Sequence, residues 1–223
     1  MRVLSHYAVG IPHKPVFAGI SIYSMSLLKF KHNNQTWGIV RNQKCASTSI
    51  LSYIAQALWD ADPEELQAYN TFRVHAPDVY HKLMYFDQYK TLLEDCDIRI
   101  AVWRDPVDKF VSGYYHTMFA ASGAQDALWL GERNIVEFLH NLNHYMSSAT
   151  VREHCETNTA RLGSDKNFYT HVFEYTESSV IADMLGAKTV NHRATNPKPT
   201  LTGVQTQLIK GVMREDYING WCK

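Results

Sequence analysis

Two stretches of this chain follow the same order of elements, and that order constrains the fold more than any other feature. Each has a short β-rich apolar run, a polar turn and a segment of helical periodicity. The first runs through Thr36-Trp37-Gly38-Ile39-Val40-Arg41 into Asn42-Gln43-Lys44-Cys45-Ala46. A helix is predicted from Ser47, because Ile50, Leu51, Ile54, Ala55 and Leu58 recur three and four residues apart. Ser47, Thr48 and Ser49 sit where N-caps belong. The second is Ile98-Arg99-Ile100-Ala101-Val102-Trp103, closed by Arg104-Asp105-Pro106. Asp105 is expected as the N-cap of a helix and Pro106 as its first residue. Val107, Phe110, Val111, Tyr114 and Met118 then share one helical face. Strands alternating with helices predict an α/β fold with a mostly parallel sheet.

The rest of the chain extends this pattern. Residues 1–35 read as an N-terminal hairpin extension, with β-type stretches at Ile20 to Tyr23 and Leu27 to Lys31 and turn residues at Asn33-Asn34. A helix is expected from Phe86 to Glu94 and another from Asn134 to Ser147. A strand is expected from Asn167 to Phe173, a helix from Ser178 to Leu185, a loop from Asn191 to Thr202 and a closing helix from Val204 to Tyr217. Neither a repeat nor a linker interrupts the 223 residues, so one domain over 1–223 is expected.

Composition narrows the partners. Apolar residues make up 45%, enough for a core and too many for a disordered chain. Lys and Arg number 22 and Asp and Glu 22, a balance that argues against a general nucleic-acid binder and leaves room for a local basic pocket. The uncharged run from Pro15 to Leu28 is shorter than the roughly 20 residues of a membrane span and is broken by Pro, Gly and Ser. The first residues lack the apolar stretch of a secretory signal, and a cytoplasmic protein without a membrane span is expected. Cys45, Cys96, Cys155 and Cys222 are scattered without a CxxC pair, which suggests neither a zinc site nor a dense disulfide framework.

In units of this kind ligands sit at the carboxyl ends of the strands, where helix N-termini offer unpaired N–H groups to anions. Lys44, Cys45, Ala46, Ser47, Thr48 and Ser49 supply one ammonium, three consecutive hydroxyls and several backbone donors, a set that suits phosphate or sulfate. The pattern GxxxxGK[ST] is absent, the turn has no glycine and the lysine precedes the hydroxyls, which weighs against a nucleoside triphosphate. Taken alone, the turn is explained equally well by a capped helix with Lys44 as a solvated charge. Arg104 at the end of the second strand alters that balance, because a guanidinium grips phosphate with two parallel hydrogen bonds. Ser112, eight positions on, can add a third contact. The bland alternatives are a structural ion pair for Arg104 and a helix-surface hydroxyl for Ser112.

KCASTSI after a strand resembles the 5′-phosphosulfate loop of sulfotransferases that use 3′-phosphoadenosine-5′-phosphosulfate (PAPS). VWRDPVDKFVSGYY resembles their 3′-phosphate motif RxPxxRxxSxY, filled here by Arg104, Pro106, Lys109, Ser112 and Tyr114, with lysine in place of the second arginine. The branch most resembled is that of the carbohydrate sulfotransferases, Golgi-type and bacterial. His154 with Asn158 resembles its HxxxQ element, with Asn for Gln, and Phe168 to Glu177 resembles its strand-then-acidic segment. Leu201-Thr202 and the Tyr217 helix resemble its C-terminal end, and Gln43 stands where the branch often has proline.

The resemblance implies a P-loop-like three-layer fold and transfer of a sulfuryl group from PAPS to a carbohydrate or glycan hydroxyl, leaving 3′-phosphoadenosine-5′-phosphate (PAP). It implies that Lys44 stabilises the bridging oxygen of the leaving group. Ala46, Ser47, Thr48 and Ser49, with Cys45 in the same turn, would hold the 5′-phosphate. Arg104 and Ser112 would hold the 3′-phosphate, and no metal is required. A general base is also needed. His75, between the two motifs, is the expected base, with His154 and acidic residues as alternatives and His81 nearby in sequence. Cys45 reads as a small packing residue. Tyr114, Tyr115, Phe119 and Trp129 read as core and pocket wall, and Arg193 and Lys198 as solvated loop charges. A P-loop-type kinase and a non-catalytic PAP-binding module are the rival expectations.

Overall fold

The computed structural model describes residues 27–62, 80–81, 85–120, 134–190 and 200–223, with only the backbone described at 80–81 and 119–120. The chain runs β1 (Leu27–His32), β2 (Gln35–Val40), α1 (Ser47–Trp59), β3 (Tyr80–His81), α2 (Phe86–Glu94), β4 (Ile98–Trp103), α3 (Pro106–Tyr115), a π-helical turn (His116–Ala120), α4 (Ile135–His140), α5 (Leu142–Tyr145), α6 (Ala149–Cys155), α7 (Asn158–Leu162), β5 (His171–Glu174), α8 (Ser178–Leu185), α9 (Gly203–Val212) and α10 (Arg214–Ile218).

β1 and β2 form an antiparallel hairpin in register from Leu27 opposite Val40 to His32 opposite Gln35. Asn33 and Asn34 turn it with φ of 50° and 61°. A two-residue hairpin turn requires this left-handed geometry, and asparagine tolerates it. The turn therefore falls where the sequence predicts, but the strand that closes the hairpin is β2; Ile20 to Tyr23 lies outside the described residues. β2 pairs in parallel with β4, and β4 in parallel with β5. The two-residue β3 lies antiparallel on the far side of β1. The order is β3-β1-β2-β4-β5.

The expectation of a mostly parallel sheet is corrected: two of the four pairings are parallel and two antiparallel. Two turn residues can only reverse a strand, whereas parallel neighbours need a long crossover.

Alternation along the strands places helices on both faces of the sheet. Leu28, Phe30, Trp37, Ile39, Ile100 and Val102 pack with Ile50, Leu51 and Ile54 of α1 and Ile181 and Leu185 of α8. Leu27, Val40 and Ala101 point the other way, toward Tyr89 and Leu93 of α2 and toward Leu162, Tyr169 and Trp221. Full burial stabilises each such aliphatic side chain by roughly 1.5–3 kcal/mol. Gly38 lets α2 approach β2: a Cβ there would stand 2.4 Å from Leu93 Cδ2 and 2.9 Å from Cys96 Sγ. A separate helical cluster joins Phe110 and Tyr114 of α3 to Phe138, Tyr145, Val151 and Ile209.

The helix expected over 134–147 is broken. Asn141 leaves the helical region (φ −103°, ψ 20°), and its side chain donates back to the Glu137 carbonyl at 3.0 Å. A polar side chain that competes for backbone groups in this way weakens a helix interior. Met213 interrupts the closing helix in the same region of φ and ψ (−92°, 20°). The predicted strand from Asn167 begins instead with a 3-10 turn, Lys166–Phe168, because Asp165 caps it by accepting from the Asn167 N–H. The short helices α6 and α7 carry no sequence expectation. No helix among the described residues is long and apolar enough to cross a membrane.

Candidate functional site

Because β2 and β4 are parallel neighbours, both turns leave the sheet at the same end. In the first turn the Asn42 N–H donates to the Val40 carbonyl at 3.0 Å and the Cys45 N–H to the Asn42 carbonyl at 3.2 Å. Lys44 and Ala46 are left-handed, with φ of 64° and 55°. Such backbone in residues other than glycine is uncommon and gathers at functional turns.

Ala46 is the N-cap of α1 and offers no side-chain bond. Ser47, Thr48 and Ser49 are therefore the first three helical residues and not caps, a correction that follows from the left-handed residue ahead of them. The leading end of α1 has no acidic residue in its first turn. Ser47 and Ser49 are buried, and Thr48 is exposed.

The second turn forms as expected. Asp105 Oδ1 accepts from the N–H groups of Val107 and Asp108 at 3.0 and 3.1 Å, and Pro106 opens α3. Arg104 is 8% exposed. Its Nη1 donates to the Lys44 carbonyl at 3.1 Å. Nη2 lies 3.8 Å from Asp108 Oδ2, and the guanidinium covers the Tyr175 ring at 4.4 Å. Nε is buried without a hydrogen-bond partner. Tyr175 follows β5, so the ends of three parallel strands meet at this point.

A buried amide chain ties the two turns together. Asn42 Nδ2 donates to the Val102 carbonyl at 3.2 Å and to Asn158 Oδ1 at 2.8 Å. Asn158 Nδ2 donates to the Arg104 carbonyl at 2.9 Å and to Asp216 Oδ2 at 3.0 Å. The Asp216 carboxylate also accepts the N–H groups of Asn158 and Thr159, at the start of α7. Asn158 and Asp216 are both fully buried.

The Lys44 ammonium has its pKa lowered, first by burial and then by the nearby Arg104 charge. The same ammonium acts on two histidines, His116 and His154. Their rings stack with centroids 4.4 Å apart and planes 18° from parallel. His154 Nδ1 lies 2.7 Å from the Thr150 carbonyl, which can only accept, so Nδ1 carries the proton. Burial pulls His154 down to about 3 and His116 down to about 4. Gly113 makes the stack possible: a Cβ there would lie 2.2 Å from the His154 carbonyl oxygen, so α6 meets α3 at bare backbone.

Other singled-out residues are placed as follows. Ser112 is half-buried on the second turn of α3. Lys109, the lysine matching the motif's second arginine, is fully buried, and its Nζ donates to the Glu156 carbonyl at 2.6 Å. Burial pushes the Cys45 thiol up to about 11, in keeping with a packing residue. His75, Trp129, Arg193 and Lys198 lie outside the described residues, and His81 is described by its backbone alone.

Sequence reasoning passed over Asn42, Asp216, His116 and Glu153. Glu153 is 2% exposed, and its Oε2 has no hydrogen-bond partner. Burial pushes it up to about 7 against the pull of Arg161 and Arg41. Among the described residues, no three His, Cys, Asp or Glu side chains are grouped to hold a metal. Compared with protein-family models, with curated proteins and with solved structures, the chain has no match.

Proposed function

We propose that this protein is a sulfotransferase of P-loop-like architecture that moves a sulfuryl group from PAPS to a hydroxyl of a carbohydrate or glycan. The observation that carries the reading is the hydrogen bond from Arg104 to the Lys44 carbonyl, which draws the two anion-ready turns into one site. The donor set fits a doubly phosphorylated nucleotide. Arg104 Nε is a buried donor without a partner, α1 opens without a side-chain cap, and Lys44 and Arg104 already repel each other. An anion between them relieves that repulsion.

Within this reading each residue has a distinct task. The N–H groups and hydroxyls of Ser47, Thr48 and Ser49, with the Cys45-Ala46 backbone, hold the 5′-phosphate. Arg104 and Ser112 take the 3′-phosphate. Lys44 donates to the oxygen that bridges phosphorus and sulfur and stabilises the charge that builds there as the S–O bond breaks. PAPS supplies the activated sulfuryl group. A base must take the acceptor proton; the sequence nominates His75, and His116 and His154, whose rings feel the Lys44 charge, are further candidates. All four cysteines are free thiols, the state a reducing compartment maintains, and the cytoplasm is the proposed location.

Calorimetric titration with PAP, ADP and magnesium ATP tests the cofactor. Preference for PAP is expected, and preference for magnesium ATP would favour the kinase reading. Label transfer from radioactive PAPS to a glycan panel tests turnover, and PAP binding without transfer to any glycan would favour the binding module.

A further inference from the structure

We propose that His116 is the group that takes the proton from the acceptor hydroxyl, with His154 as the positioning residue that sets its plane. The inference rests on the sulfotransferase reading and competes with His75 for the same role.

The geometry has four parts. First, His116 is the half-buried first residue of the π-helical turn, where a substrate can reach it, while His154 is 3% exposed. π-Turns are rare and occur frequently at functional sites. The Thr117 hydroxyl fastens this one by donating to the carbonyls of Gly113 and Tyr114 at 3.1 and 3.0 Å.

Second, the Thr150 carbonyl holds the His154 ring at Nδ1 and so fixes the face on which His116 stacks. Third, Gly113 leaves no side chain between α3 and α6, so the stack is set by backbone contact. Fourth, the charge of Lys44, the residue assigned to the leaving group, reaches both rings, and that of Arg41 also reaches His154. Base and leaving-group stabiliser are therefore within electrostatic reach of each other.

The step balances without a co-reactant. The acceptor O–H bond gives its proton to a ring nitrogen of His116, and the acceptor oxygen forms its bond to sulfur. The bridging S–O bond breaks, and its electron pair stays on the 5′-phosphate oxygen beside Lys44. Lys44 also supplies a gate: after burial, its charge is what disfavours a protonated His116 in the free protein, and a bound phosphate offsets that charge. Proton uptake by His116 then becomes easier when the nucleotide is in place.

The test uses the full chain. His116→Gln is expected to lower label transfer from PAPS at least about a hundredfold, the low end of a general-base contribution, with PAP affinity within about threefold of wild type. His154→Phe keeps a ring over His116 and is expected to retain more turnover than His154→Ala. Should His116→Gln fail to fold, the imidazole resonances of wild type decide. Addition of PAP should raise the His116 titration midpoint.

Full turnover in His116→Gln, or a midpoint unmoved by bound PAP, overturns the assignment. A hundredfold loss in His75→Ala beside an active His116→Gln would transfer the role to His75. Absence of PAP binding by wild type would sink the sulfotransferase reading itself, and this proposal with it.

Discussion

Arg104 and Lys44, sixty positions apart in the chain, are joined by a 3.1 Å hydrogen bond from guanidinium Nη1 to backbone carbonyl. The bond holds the Arg104 guanidinium against the backbone of Lys44, and the two like charges repel. Arg104→Ala is expected to weaken PAP binding by about 1.5–3 kcal/mol, the scale of a hydrogen bond to a charged group. A nucleotide without the 3′-phosphate should lose much less. Calorimetry with PAP and ADP measures both, and equal losses would make Arg104 a structural residue.

Asn158 joins both turns to Asp216 through the chain of buried amides. Asn158→Ala removes the side-chain bonds to Asn42, to the Arg104 carbonyl and to Asp216 Oδ2, while Asn42 keeps Val102 and Asp216 keeps two backbone N–H groups. Each lost hydrogen bond is worth about 0.5–1.5 kcal/mol, so the unfolding midpoint in urea should fall. Asn158→Asp should be worse, because it sets a second carboxylate against Asp216. A midpoint equal to wild type in both variants would mean that the amide chain holds nothing together.

Gly113 meets the His154 carbonyl oxygen at a distance no Cβ can tolerate. Gly113→Ala must push α6 from α3. Overpacking of this kind costs typically 1–3 kcal/mol. The same shift should separate the His116 and His154 rings, so turnover should fall further than stability alone explains. Thermal denaturation beside label transfer separates the two effects, and unchanged values in both would show that α6 moves freely.

Glu153 gives a pH signature. Its folded pKa is raised to about 7 from 4.5, so between those values the folded protein holds a proton that the unfolded chain has released. Stability from this group is therefore complete below about pH 4.5 and is lost as pH rises through about 7. Glu153→Gln removes the loss. Allowing for partial solvent screening, its stability relative to wild type should rise by on the order of 2 kcal/mol between pH 4.5 and 8. Urea unfolding across that range measures it; parallel pH curves for the two proteins would assign Glu153 an ordinary carboxylate pKa.

Local features were legible in the residues. The Asn33-Asn34 turn, the Asp105 cap with Pro106 behind it and the apolar spacing of α1 and α3 each depend on neighbours a few positions away. Backbone sterics and helix periodicity act at that range, so the order of residues was enough to place both strand–turn–helix units.

Tertiary structure decided the rest. It made β2 the partner of β1, moved the cap of α1 to Ala46 and buried Lys109 under Glu156. It brought Asn42 to Asn158 across 116 positions and stacked His116 on His154. Contacts of that span leave no periodicity in the sequence. They exist because two parallel strands end side by side and because Gly113 leaves nothing between two helices, and each of those is a property of the packed chain.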